Sequence, residues 1–181
     1  LAIEFGPMSA RRASEELGTA MPISYSEGIM VNGKGKRFMS ESNLMDHNKS
    51  TEPLLQIKST NRGGKEGNWG NGFYNLPAWV IFDEATFTSS SLGRPFGRVM
   101  TYDIYTWSDD NQAELEKGWI ERADTIDELA AKLNSKNSMT GEDISLDAEG
   151  LKATIDEYNG FVSEGVDPLG KKEEHLIPVG D

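Results

Sequence analysis

The sequence predicts an α+β domain: a small mixed or antiparallel sheet with a β-hairpin, and helices packed on it. Three observations carry this. Two extended segments, around residues 29–39 and 77–82, are rich in Ile, Val, Phe and Trp and are bounded by turn residues. Two later segments, 125–133 and 146–163, carry apolar residues at helical spacing. Nineteen glycines in 181 residues demand more turns than a helical bundle uses. This length supports a single domain with a real core.

In chain order, residues 8–17 read as a short helix, with Ser9 as N-cap, Gly18 as terminator and Met8, Ala13 and Leu17 facing inward. Pro22 interrupts, and an extended piece from Ile23 to Tyr25 leads to the hairpin. Its arms are Ile29–Val31 and Arg37–Met39, with Asn32, Gly33 and Gly35 as the positive-φ positions of the reversal. The second arm ends in a polar cluster, Ser40-Glu41-Ser42-Asn43, and Leu44, His47, Leu54 and Leu55 suggest a helix that Pro53 breaks or restarts. A strand that ends so delivers several side chains to one point, a common way to mount a site on a rigid scaffold.

Residues 59–75 form a glycine-rich loop, and Pro77–Phe82 is the clearest buried strand, followed by a turn or short helix from Asp83 to Phe87. Alternation over 98–107 fits a strand or an irregular segment. A helix over 109–117 stops at Gly118, and Trp119–Ala123 reads as a short strand. Thr125-Ile-Asp-Glu128 is a capping box opening a helix to Leu133, with Ile126, Leu129, Ala130 and Leu133 on one side. Residues 134–144 read as a polar linker. The last helix starts at Leu146-Asp147 and runs to about Ser163, burying Leu151, Ile155, Tyr158 and Phe161 or Val162, and Gly165 ends it. The tail, 166–181, has no helical period.

Several function classes fall away. The chain has no cysteine, which removes disulfides, thiolate metal sites and cysteine nucleophiles. No apolar run approaches the roughly 18 residues of a membrane span, and the first residues lack the pattern of a signal peptide. A net charge of −12 argues against sequence-independent binding to nucleic acid. That charge is uneven: residues 1–65 carry nine Lys/Arg against seven Asp/Glu, and residues 66–181 carry nine against 23. An anion-attracting surface is therefore expected in the first third. The start without Met leads us to expect a processed product or an excised fragment. Location stays open between bacterial cytoplasm and cell envelope.

No glycine-rich dinucleotide or P-loop motif is present. The acidic pairs Asp83/Glu84, Asp109/Asp110 and Glu142/Asp143 lack calcium-loop spacing and read as helix N-terminal charge or solvated loops. Trp69, Phe73, Tyr74 and Trp79, interleaved with Asn and Gly, offer an alternative function: a stand-alone acidic module with a carbohydrate-binding loop. His175 reads as incidental, and Tyr158-Asn159 as helix packing with C-terminal hydrogen bonding.

Three segments together resemble one family. Gly28-Ile-Met-Val-Asn-Gly-Lys-Gly-Lys-Arg-Phe-Met-Ser-Glu41 is similar to the "VNxxGxRFxNE" segment of fumarate reductase and succinate dehydrogenase-type flavoproteins, a group that includes ketosteroid dehydrogenases and urocanate reductases. Ala78–Asp83 resembles the strand that follows in that group. Gly118–Leu133 and Leu151–Asn159, with Gly165 and Asp167 after them, resemble its "ADTIxELAxxL…LxxTIxxYNxxxxxGxD" stretch. Order and spacing agree over residues 28–170.

The resemblance implies that residues 1–181 are a capping, or clamp, domain, an insertion that closes over a flavin domain and shapes the substrate site. The tail 166–181 would lead to the FAD-binding domain of the same polypeptide. FAD is expected in the full-length protein and none in this fragment, which alone is expected to catalyse nothing. The implied chemistry is reduction or desaturation of a C=C bond in a small-molecule substrate. Fumarate-reducing members keep an Arg proton donor four residues after the motif's Glu, and ketosteroid-dehydrogenating members tend to have a Tyr there. Met45 holds that place here and cannot transfer a proton. Asp46 and His47 are the candidate catalytic residues, and Arg37, Glu41, Ser42, Asn43 and Met45 the candidate substrate-facing ones. In a purely structural alternative, Arg37 and Glu41 form an ion pair at the hairpin base and His47 is an ordinary helix residue.

Overall fold

The computed structural model describes residues 1–6, 9–23, 26–43, 49, 53, 75–93, 104–136 and 141–180. One antiparallel sheet organises them. Its strands are β1 (Ala2–Gly6), β2 (Ser9–Ala10), β3 (Ile29–Asn32) and β4 (Ala78–Ile81), in the order β2-β1-β4-β3. Strand β4 lies between its neighbours, with Val80 opposite Ile3 on one side and Met30 on the other. Helices are α1 (Arg11–Leu17), α2 (Glu84–Ser89), α3 (Gln112–Glu116), α4 (Ile126–Lys132) and α5 (Ala148–Glu164). A second, two-stranded sheet pairs β5 (Asn134–Lys136) with β6 (Asp143–Ser145). The fold is α+β, as the sequence predicts.

Every residue of β3 and β4 is buried, because both sheet faces are covered. Strand side chains alternate in direction, and the two sets enter two cores. Ile3, Phe5, Met30, Ala78 and Val80 pack with Ala13, Phe87, Trp107, Trp119 and Ile120. Ala2, Ile29, Val31, Trp79 and Ile81 pack with Leu129, Leu133, Leu151, Ile155 and Tyr158 from α4 and α5. Full burial of such a side chain contributes about 1.5–3 kcal/mol, so these sets anchor the strands that carry the hairpin. Trp79 is fully buried, which removes it from the aromatic surface of the carbohydrate-binding alternative. Trp69, Phe73 and Tyr74 lie outside the described residues.

The capped elements form where their signals lie. The Thr125 side chain accepts from the Glu128 amide at the start of α4, Asp147 caps α5 from the Gly150 amide, and Asp83 caps α2 from the Thr86 amide. Gly18, Gly118 and Gly165 all adopt the left-handed conformation expected of helix terminators.

Other expectations need correction. The first helix starts at Arg11 rather than 8, because Ser9 and Ala10 pair as β2 with Phe5 and Gly6. Ala10 occupies the cap position, not Ser9. Within the hairpin turn only Gly35 has a positive φ. Asn32 stays in β3, and its side-chain oxygen accepts the Lys34 and Lys36 amides, which fixes the turn from within. Residues 119–123 give a single bridge, Ala2 to Glu121, instead of a strand. The polar segment 134–144 is no mere linker, since it holds β5 and the start of β6. Met8, Tyr25, Leu44, Leu54, Leu55, loop residues 59–74 and residues 98–103 fall outside the described residues.

Candidate functional site

Strand β3 leads into the turn at Gly35, and the chain returns through Arg37, bridged to Val31, into a 3-10 turn over Glu41–Asn43. Arg37 and Glu41 meet across this return. Arg37 Nε donates to Glu41 Oε1 at 2.8 Å and Nη2 to Oε2 at 2.7 Å, the two-pronged geometry that suits a planar guanidinium. The other edge of the guanidinium takes Asp167, with Nη1 to Oδ1 at 2.6 Å and Nη2 to Oδ2 at 2.9 Å. The Met30 amide also donates to Glu41 Oε1, at 2.8 Å.

Lys171 completes the set. Its Nζ donates to the Gly28 carbonyl at 2.6 Å and stands 3.5 Å from Glu41 Oε2. The side chains of Glu41, Asp167 and Lys171 have no exposed surface, and that of Arg37 is 6% exposed. Two cations and two carboxylates thus form a charge-balanced interior group, roofed by Tyr158, whose ring lies 4.9 Å from Arg37 Cζ and 5.0 Å from Lys171 Nζ.

Burial disfavours every charge here, and the partners decide the outcome. For Arg37 the bonds from Glu41 and Asp167 outweigh burial, and its pKa rises. For Asp167, burial pushes upward, but the Arg37 bonds and the Lys171 amide hold the carboxyl below its ordinary range. For Lys171 burial wins over the nearby carboxylates and lowers the pKa. The Tyr158 phenol is pushed up to about 12 by burial and then by the Glu41 charge.

Of the candidate residues, Arg37 and Glu41 therefore point inward, in the ion-pair arrangement of the structural alternative. Ser42 and Asn43 are half-buried at the exit of the hairpin. The Ser42 hydroxyl accepts from the Lys172 amide at 3.3 Å, and the Asn43 amide donates to the Ser40 carbonyl at 3.0 Å. Met45, Asp46 and His47 lie outside the described residues. Sequence reasoning missed Lys171, which no local pattern marks. Asp167 was visible only through the family stretch.

Among the described residues, one cleft lies at the sheet and another beside the hairpin turn. The first, of about 540 Å³, is lined by Leu1, Ile81, Asp83, Arg122, Ile155 and Gly180 among others, and none of the hairpin-exit residues lines it. The other, of about 320 Å³, is lined by Lys36, Arg37, Thr154, Tyr158, Phe161 and Leu169 among others, beside the buried charges. Among the described residues no group of three or more His, Asp or Glu could hold a metal, and no helix is long and apolar enough to cross a membrane.

Neither the N-termini of α2, α4 and α5 nor the glycine contacts at Gly35 and Gly150 leave room for the pyrophosphate of a dinucleotide. Such a group needs open helix N-termini or a glycine-lined cradle. Here Asp83, Thr125 and Asp147 already occupy the N-termini of α2, α4 and α5. The close backbone approach at Gly35 and Gly150 is filled by the chain itself.

No family model and no solved structure matches the chain. Relatives are found among curated proteins. A 3-oxosteroid 1-dehydrogenase of Mycolicibacterium smegmatis is 34% identical over 142 residues, 77% of this chain and 19% of that protein. A 3-oxosteroid 1-dehydrogenase of Mycobacterium tuberculosis H37Rv is 31% identical over 142 residues, 77% of this chain and 20% of that protein. The chain spans about a fifth of the length of these relatives. Over three quarters of its own length, it is similar to a segment of proteins named 3-oxosteroid 1-dehydrogenase.

Proposed function

We propose that this chain is a capping domain that closes over the substrate of an FAD-dependent dehydrogenase acting on a C=C bond, with a 3-oxosteroid as the substrate class. The observation that carries the reading is the similarity over 142 residues to proteins of that name. The geometry supports it as well. The segments around residues 28–41 and 151–167, which carry the family resemblance and lie far apart in sequence, are joined by hydrogen bonds among Arg37, Glu41 and Asp167.

FAD is assigned to the FAD-binding domain of the same polypeptide, where it would exchange a hydride with the substrate. The part left to these residues is positioning and exclusion of water. Ser42, Asn43 and Met45 are proposed to face the substrate, Asp46 and His47 to move a proton, and Arg37 and Glu41 to hold the return of the hairpin that leads into them. Burial of Trp79 removes one of the four aromatics on which the carbohydrate reading rests.

The test is anaerobic mixing of the full-length protein with a 3-oxosteroid saturated at the C1–C2 bond. Loss of the oxidised flavin spectrum, with a new C=C bond in the steroid, is expected. A full-length protein that carries no flavin would end the proposal.

A further inference from the structure

We propose that Asp167 and Lys171 are positioning residues that set the path of the chain through Glu41, Ser42 and Asn43, beyond balancing charge. The loop after α5 alternates in burial: Val166, Pro168, Leu169 and Gly170 are exposed, while Asp167 and Lys171 turn inward. Its inward groups seize the hairpin at every stage. Lys171 Nζ holds the Gly28 carbonyl just before β3. Asp167 holds Arg37 on the returning arm, and Lys171 stands against Glu41. The next residue, Lys172, donates its amide to the Ser42 hydroxyl at the exit.

The loop itself is preset for this grip. Asp167 accepts the Leu169 amide on Oδ1 and the Lys171 amide on Oδ2 at 2.7 Å, and its own carbonyl accepts the Gly170 amide at 2.8 Å. One carboxylate therefore both folds the loop and locks Arg37. A neutralising ion pair needs only proximity, whereas here hydrogen bonds fix direction at three separate points of one 15-residue stretch, 28–42, with the Lys171–Glu41 ion pair between them. Rigid support of this kind is what a substrate-facing segment requires. The relevance to substrate rests on the reading of Ser42 and Asn43 given above, but the positioning itself does not.

Charge and position are separable by a double replacement. Asp167→Asn leaves one uncompensated positive charge and Lys171→Met one uncompensated negative charge, while the two together restore neutrality. Each single variant is expected to lower the melting temperature, and the double variant to recover part of the loss. In the double variant the Ser42 and Asn43 amide resonances should stay displaced from their wild-type positions, while those of Trp119 and Ile120, in the other core, are unchanged. Return of the Ser42 and Asn43 amides to wild-type positions would overturn the proposal. Should none of these variants fold, hydrogen exchange of the unmodified chain decides. The Met30 and Lys171 amides, which donate to Glu41 and Asp167, should open at one common rate, and a Lys171 amide exchanging about a hundredfold faster would also overturn it.

In the full-length protein the double variant should raise KM for the steroid about tenfold or more, with a smaller change in kcat. Wild-type protein that turns over no steroid removes the reading of function and leaves the resonance and exchange results to judge the positioning.

Discussion

Gly150 lies so close to Lys34 that a Cβ on it would stand 2.1 Å from the Lys34 carbonyl oxygen. The contact is reciprocal, since a Cβ on Gly35 would fall 2.3 Å from the Leu151 amide nitrogen, and Gly35 also needs φ of +65°. Backbone meets backbone where the hairpin turn rests on the first turn of α5. Gly150→Ala is therefore expected to destabilise the chain by about 1–3 kcal/mol, the cost of forcing atoms into a packed contact. Gly160 in the same helix has open space around it. Gly160→Ala should stabilise by up to about 1 kcal/mol. Urea denaturation of the two variants tests the pair, and equal signs would refute this account of α5.

Asn111 is a second fixed point. It is fully buried at φ 61°, and all four of its side-chain hydrogen-bonding positions are used. Oδ1 accepts from the Leu92 amide and Trp107 Nε1, while Nδ2 donates to the Phe87 and Ser90 carbonyls. Asn111→Gly tolerates the backbone but orphans these groups, for an expected loss of at least about 3 kcal/mol. Asn111→Ala should cost roughly 1–2 kcal/mol more, the left-handed penalty of a Cβ. Denaturation followed by Trp fluorescence measures both.

The buried charges predict the pH profile. Asp167 has a folded pKa below its unfolded value near 3.8, so its contribution is complete above that value and is lost as pH falls through the folded one. Asp167→Asn should flatten the acid limb of stability below about pH 4. Tyr158 behaves oppositely. Its folded pKa of about 12 lies above the unfolded 10.0, so its contribution is complete below pH 10 and is lost as pH rises toward 12. The hydroxyl makes no hydrogen bond of ordinary geometry, the Ile177 backbone exerting only a weak opposing pull. Tyr158→Phe should thus cost little at neutral pH and remove the tyrosine part of the alkaline loss. Melting curves from pH 3 to 12 give both limbs.

For the proposed chemistry, Asp46→Asn and His47→Ala in the full-length protein should separate proton transfer from packing. The residue that moves the proton is expected to lower kcat by roughly 10²–10⁴ without changing flavin content. Replacing Met45 with Leu should leave kcat within a few-fold, since neither side chain carries a proton. Loss of turnover in the Met45 variant alone would contradict the assignment.

What the sequence revealed follows from where the physical signal lies. Strand β4 and helices α4 and α5 announce themselves locally, through apolar periodicity and the caps Thr125 and Asp147. Strand β1 does not, because Glu4 sits in its middle. That carboxylate is buried and paired with Arg11 at 2.7 Å, with the Ser135 hydroxyl as a further donor, so the reason it is tolerated lies 7 and 131 residues away. Strands β5 and β6 are polar and largely exposed, paired mainly through backbone, which leaves little hydrophobic pattern to read. The site divides the same way. Arg37 and Glu41, four residues apart, were legible as a pair, whereas Asp167 and Lys171 join them across 130 residues of chain.

Strand β4 turns Val80 into one core and Trp79 and Ile81 into the other. With four residues of one strand serving both, the two cores are expected to melt together. The chain should unfold as one block, with the slowest-exchanging amides of both halves sharing a single opening free energy. A hairpin mounted on that strand inherits the stability of the whole, so a substitution as distant as Ile120 reaches the Glu41 exit through the fraction of molecules folded rather than through any local displacement.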